Sequence, residues 1–94
     1  MPELKYDIRY TSRIKKDLKS LLKRGKDMRK FENVVNLLAS GKKLPPKYRD
    51  HKLIGAKNGL RDCHIEPNWL LLYKIEDDTL ILELSRTGSH ADLF

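Results

Sequence analysis

The apolar residues of this chain change their period part-way along it. Before Gly41 they recur at helical spacing; after Gly59 they alternate, or run continuously, as strand residues do. A chain built this way must lay a helical stripe against a sheet face, because neither element can hide its apolar side alone. Lys5 to Tyr10 alternates, with Tyr6, Ile8 and Tyr10 on one side, and reads as a first strand. Thr11 or Ser12 can cap the helix that follows by accepting an orphan N–H. Ile14, Leu18, Leu21 and Leu22 form its stripe, while Arg13, Lys15, Lys16, Lys19 and Lys23 fill the opposite side. Gly25 suits the helix stop. Asp27 can cap a second helix carrying Met28, Phe31, Val34, Val35 and Leu38, with Gly41 as its end. The two helices are expected to form a short hairpin.

Lys42 to Lys47 is a basic loop, and Pro45-Pro46 should hold it extended. Strand signals follow. Gly59 to Glu66 places Arg61, Cys63 and Ile65 on one face and Asp62, His64 and Glu66 on the other. Pro67-Asn68 is a turn, Trp69 to Ile75 a largely apolar strand, Glu76-Asp77-Asp78 a charged turn, and Thr79 to Ser85 a central strand. Turns this tight make neighbouring strands antiparallel. The expectation is one α+β domain over residues 1–94: strand, helix, helix, then strands, in an antiparallel sheet with both helices on one face. Ninety-four residues can bury one modest core.

Lysine and arginine number 20 against 13 acidic residues, a formal net charge of +7. That excess favours a polyanionic partner, because neutralising phosphates releases condensed counterions. The plainer account is a solvated basic surface, and charge alone does not choose between them. A single cysteine, Cys63, excludes an intramolecular disulfide. With no apolar leader visible near the charged N-terminus, it fits a reducing cytoplasm. The longest near-continuous apolar stretch, Trp69 to Tyr73, is far too short to span a bilayer, so no membrane role is expected.

All three histidines lie in the second half, each beside other polar groups: His51 after Asp50, His64 between Asp62 and Glu66, and His90 in a Gly-Ser tail. Imidazole can both take and give a proton near neutrality. A lone histidine is usually structural; three that a sheet could gather are candidates for acid–base work. Zinc would want a local ligand pair, and the adjacent Cys63 and His64 point to opposite faces of a strand, so no metal is expected. Cys63 shares its face with Ile65 and reads as a core thiol. Arg61 and Arg86 are candidates to hold a crowded phosphate, Arg86 the better placed because it leads into the histidine-bearing tail. Trp69 and Phe94 can stack on bases, although packing is the simpler account for Trp69. Acid–base groups on a basic single domain point to RNA cleavage without a metal.

Tyr48-x-Asp50-His51-x-Leu53, Gly55, Gly59, Arg61-Asp62-x-His64-Ile65-Glu66-Pro67-x-Trp69, Leu72-Tyr73 and Arg86-Thr87-Gly88-Ser89-His90-x-x-Leu93-Phe94 together resemble the YafQ-type toxins of the RelE superfamily. The resemblance covers nearly the whole chain and is most specific from Tyr48 onward. It implies a RelE-like fold and the toxin of a type II toxin–antitoxin pair. The implied activity is cleavage of messenger RNA in the ribosomal A site, without metal or cofactor, neutralised by a DinJ-type antitoxin. Promoter DNA would be met only through that antitoxin. The implied catalytic set is His51, His64, Arg86 and His90, with Arg61, Trp69, Phe94 and Asn68 binding substrate. At position 68 the chain departs from the pattern, which has Asp before the tryptophan; an amide can hydrogen-bond but cannot carry the proton. The competing classes are a non-catalytic nucleic-acid-binding module or co-repressor, and a metal-dependent hydrolase.

Overall fold

A computed structural model describes residues 4–55 and 58–94; residues 1–3, where the charged N-terminus begins, lie outside the described residues. Strand β1 (Asp7–Tyr10) leads into helices α1 (Ser12–Lys23) and α2 (Met28–Ala39). After a single 3-10 turn at Pro46–Tyr48 come β2 (His51–Lys52), β3 (Arg61–Glu66), β4 (Trp69–Glu76), β5 (Ile81–Gly88) and a short C-terminal helix, α3 (His90–Leu93).

The helix signals lie where the sequence puts them. Thr11 Oγ1 accepts from the Ile14 N–H at 3.1 Å and caps α1. Asp27 Oδ1 accepts from the Arg29 N–H at 3.0 Å and caps α2. Gly25 and Gly41 follow the helices with φ of +81° and +79°, a region that only glycine enters without strain.

The sheet order is β1-β5-β4-β3-β2. β2 to β5 pair antiparallel, as their tight turns require. β1 departs from the all-antiparallel expectation and runs parallel to β5, Asp7 opposite Ile81 and Tyr10 opposite Leu84. The two helices carry the chain away from β1, and β5 returns beside it in the same direction. The sheet is therefore mixed, within an α+β fold.

Ile14 and Leu21 of α1, and Phe31, Val34, Val35 and Leu38 of α2, pack with Cys63, Trp69, Leu71, Tyr73, Leu82 and Leu84 in one core. The helices thus cover a single face. Leu70 and Leu72 are buried as well, but alternate onto the opposite face, where they floor the site described next. No helix among the described residues is long and apolar enough to cross a membrane.

Three further differences shape the site. His51, which no strand signal in the sequence covers, starts the two-residue strand β2 and pairs with Asp62. Pro46 begins a helical turn instead of extending the loop. β5 runs on to Gly88, and the tail beyond it folds into α3.

Candidate active site

Residues directly opposite one another in a sheet share a face. His51 pairs with Asp62, Asp62 with Leu72, and Leu72 with Arg86. This row crosses four strands on the face away from the helices. A second row, His64, Leu70 and Gly88, lies beside it. α3 begins two residues after Gly88 and brings His90 to the same end. Pairing therefore gathers His51, His64 and Arg86, and α3 adds His90.

The strand carrying His51 is anchored through its neighbour. Asp50 accepts from Tyr73 Oη, and from Arg61 Nε at 3.3 Å and Nη2 at 3.1 Å. Burial and the Asp50 carboxylate push the Tyr73 hydroxyl up, so it stays a proton donor. The His51 ring is held on one side: its Nδ1 lies 2.7 Å from the Arg49 carbonyl oxygen. Its Nε2 lies 3.7 Å from Asp62 Oδ2. His64 sits half-buried, its Nδ1 3.2 Å from the Pro67 carbonyl oxygen.

Arg86 is clasped by α1. Asp17 accepts from its Nε at 2.8 Å and Nη2 at 3.1 Å, and from the Thr87 backbone N–H at 3.1 Å. β1 ends opposite Leu84, so this stretch of β5 has an open edge that the helix fills.

α3 is fixed at its start by a capping box: Ser89 Oγ accepts from the Asp92 N–H, and Asp92 Oδ2 accepts from the Ser89 N–H. Arg24 Nη2 adds a bond to Asp92 at 2.9 Å. Those donors, the Ser89 N–H foremost, hold the Asp92 carboxyl below the usual range. A side chain at position 88 would put its Cβ 2.9 Å from Asp92 Oδ2, so glycine is required for the tail to close. Within α3 the His90 ring meets the Phe94 ring, centroids 4.9 Å apart and tilted by 38°. Phe94 remains 59% exposed.

Three of the residues expected to bind substrate are otherwise engaged. Trp69 is fully buried; its Nε1 donates to Thr87 Oγ1 at 2.9 Å. Its expected role of stacking on a base gives way to packing. Arg61 is occupied by Asp50 and Tyr73, so its first task is to hold the β2 segment. The Asn68 side chain bonds the backbone of α3, its Oδ1 accepting from the His90 N–H at 3.2 Å.

Two residues that sequence reasoning passed over belong to the site. Asp17 is the only acid in α1, and that was its one signal. Asp62 reads in sequence as a solvent-side residue, yet it is buried among the histidines. Burial raises its carboxyl, while His51, His64 and His90 act on it in the opposite sense. Among the described residues, no group of three His, Cys, Asp or Glu is placed to hold a metal ion.

Residues 6–94 match the family model described as the bacterial toxin of type II toxin–antitoxin systems, YafQ. The chain belongs to the YafQ family. It is 45% identical over 89 residues to the mRNA interferase toxin YafQ of Escherichia coli K12, covering 94% of this chain and 95% of that relative. In structure this YafQ-family toxin is similar to a chain of the E. coli DinJ–YafQ toxin–antitoxin complex, with TM-score 0.89 and 43% identity over 97% of this chain and 99% of that one. It is likewise similar to a metal-bound toxin from Helicobacter pylori, with TM-score 0.91 and 42% identity over 95% and 99%. The RelE-like α+β expectation stands on these likenesses.

Proposed function

We propose that this YafQ-family toxin is an mRNA interferase: an endoribonuclease that cuts messenger RNA in the ribosomal A site without a metal. The observation that carries this reading is the sheet face on which His51, His64 and Arg86 share two adjacent rows beneath His90. The E. coli relative named an mRNA interferase supports it.

The chemistry is attack by a ribose 2′-hydroxyl on the adjacent phosphate. It needs a base at the 2′-oxygen, an acid at the departing 5′-oxygen and cations around the phosphate. His51 and His90 are the base and acid pair. His64 and Arg86 hold the phosphate oxygens, Arg86 with its planar fork oriented by Asp17. Phe94, exposed against His90, offers a face for a base. Arg61 and Asn68 act through the segments they hold. Products are a 2′,3′-cyclic phosphate and a 5′-hydroxyl.

The basic surface suits the ribosome and its RNA. The likeness to the E. coli DinJ–YafQ complex supports a DinJ-type antitoxin as the partner; in this reading that antitoxin neutralises the toxin in the cytoplasm, and promoter DNA is met only through it. The test is single-turnover cleavage of a programmed ribosome complex, with product ends mapped. His51→Ala, His90→Ala and Arg86→Ala should each reduce the rate by about 10²-fold or more. Cleavage that is lost on chelation and restored by added metal, with ribosomes intact, would favour a metal-dependent hydrolase. Binding without cleavage would leave a nucleic-acid-binding module.

A further inference from the structure

A cavity opens off the candidate site at His64. Helix α2 gives it Lys30 and Asn33, the 3-10 turn and the residue after it give Lys47, Tyr48 and Arg49, and the end of β3 closes it from His64 onward. Its volume is about 450 Å³, inside the usual span of about 300–1,000 Å³ for a site that takes a small organic ligand. β2 pairs with Arg61 and Asp62 only, so among the described residues β3 beyond Asp62 has a free edge, and the cavity lies along it. A free edge presents backbone N–H and C=O groups.

The charge here is unbalanced. Glu66, the acid on the lining, is already engaged: its Oε1 accepts from Lys26 Nζ at 2.9 Å, and its Oε2 from Lys30 Nζ at 2.7 Å. Lys47 and Arg49, both exposed, take part in no ion pair among the described residues. Lys47 Nζ stands 5.0 Å over the Tyr48 ring, which steadies the cation without neutralising it. Arg49 sits in the left-handed region, φ 48° and ψ 44°, where glycine is at ease and asparagine is tolerated. The fold uses only its backbone there, the carbonyl oxygen facing His51 Nδ1 at 2.7 Å. Glycine would supply that carbonyl without strain, so the guanidinium on the cavity wall is the part that folding does not need.

Cations without carboxylates call for an anion. Tyr48, Ile65 and Pro67 add an apolar floor, and the exposed Asn33 amide brings both donors and an acceptor. A phosphate, a flat apolar face and a hydrogen-bonding edge together describe a nucleotide whose base is unstacked, the form in which single-stranded RNA is read. A duplex keeps its bases stacked inward, and an acidic peptide would leave the floor unused. We propose that this cavity is a subsite for the nucleotide next to the cut: Lys47 and Arg49 hold its phosphate, the floor carries the face of its base, and Asn33 reads the base edge. This rests on the cleavage reading above. His64 joins the two places, since it lines the cavity and stands in the row beside the candidate site.

The full-length toxin is titrated with a trinucleotide RNA whose 2′-hydroxyls are methylated, so that it cannot be cut, and separately with a short RNA hairpin duplex, while backbone amides are followed by NMR. The trinucleotide should move the amides of Asn33, Tyr48, Arg49 and Ile65. Arg49→Asn keeps the left-handed backbone without the charge. It should weaken trinucleotide binding about tenfold and lower the slope of log affinity against log salt by about 0.7, the loss of one phosphate contact on a single strand, with no fall in melting temperature. On programmed ribosomes, Arg49→Asn and Lys47→Ala should raise the half-saturating toxin concentration for all codons alike. Asn33→Ala should instead narrow the spread of rates among the four bases at one codon position, a spread of about tenfold in the parent. The proposal is overturned if the trinucleotide leaves those amides unmoved, if folded variants match the parent in both assays, or if the hairpin takes the cavity in preference to the trinucleotide. A trinucleotide bound in the cavity of a toxin that cuts no RNA would instead overturn the cleavage reading and leave the subsite standing.

Discussion

Asn68 Oδ1 accepts a hydrogen bond from the backbone N–H of His90, 22 residues further along, and so ties the β3–β4 turn to the start of α3. Position 68 in this chain is thus a tether for the residue proposed to carry a catalytic proton. Asn68→Asp keeps the acceptor and should retain cleavage or raise it. Asn68→Ala loses one hydrogen bond, about 0.5–1.5 kcal/mol, and should slow cleavage no more than about tenfold. A loss near 10²-fold in single-turnover assays would place the amide on the substrate.

Trp69→Phe tests packing against base stacking. The variant keeps a ring in the core but removes the donor to Thr87 Oγ1, which still bonds the Leu70 carbonyl. Stability should fall by about 1 kcal/mol, read from urea unfolding, while ribosome cleavage at a temperature where the fold is intact stays within a few-fold of the parent.

Asp17→Asn should act at a distance on Arg86. The substitution removes a carboxylate that accepts three hydrogen bonds from β5. The pair is partly buried, so the cost should fall between exposed and buried ion pairs, about 1–3 kcal/mol. Cleavage should drop together with stability, since the guanidinium loses its fixed orientation. If the melting temperature falls but the rate does not, Arg86 orients itself without Asp17.

Acid should loosen the tail. The Asp92 carboxyl is held low by the Ser89 N–H and by Arg24, and that of Glu66 by Lys30 and Lys26. A carboxyl with a depressed folded-state pKa stabilises the fold fully above its unfolded value, about 3.9 for Asp and 4.3 for Glu. That stability is lost as the pH falls through the folded value. Amide exchange in α3, followed from pH 6 downward and corrected for intrinsic exchange rates, should show protection lost below about pH 4. Asp92→Asn should show weaker protection already at neutral pH.

How much of this was legible depends on whether the deciding contact is local. Both helices declare themselves because stripe, cap and stop fall within a dozen residues. Trp69 could be weighed toward the core from its neighbours in β4. The parallel partner of β1 is not legible, since it is set by where two helices return the chain. β2 is too short to show any period, so His51 reads as loop. Asp62 alternates like an outward residue, and only its pairing with His51 and the closure of α3 bury it. Asp17 and Arg86 lie 69 positions apart, and nothing local marks them as partners.

The parallel pairing of β1 with β5 has a consequence for synthesis. β1 leaves the ribosome early, but among the described residues its only neighbour in the sheet is β5, made after β2, β3 and β4. His90 and Phe94 follow later still. A nascent chain therefore has neither a finished sheet nor an assembled histidine cluster until β5 and α3 are free. Contacts between such distant segments also form slowly. A chain that still lacks β5 and α3 has no complete candidate site, and an antitoxin has that interval in which to meet it unarmed.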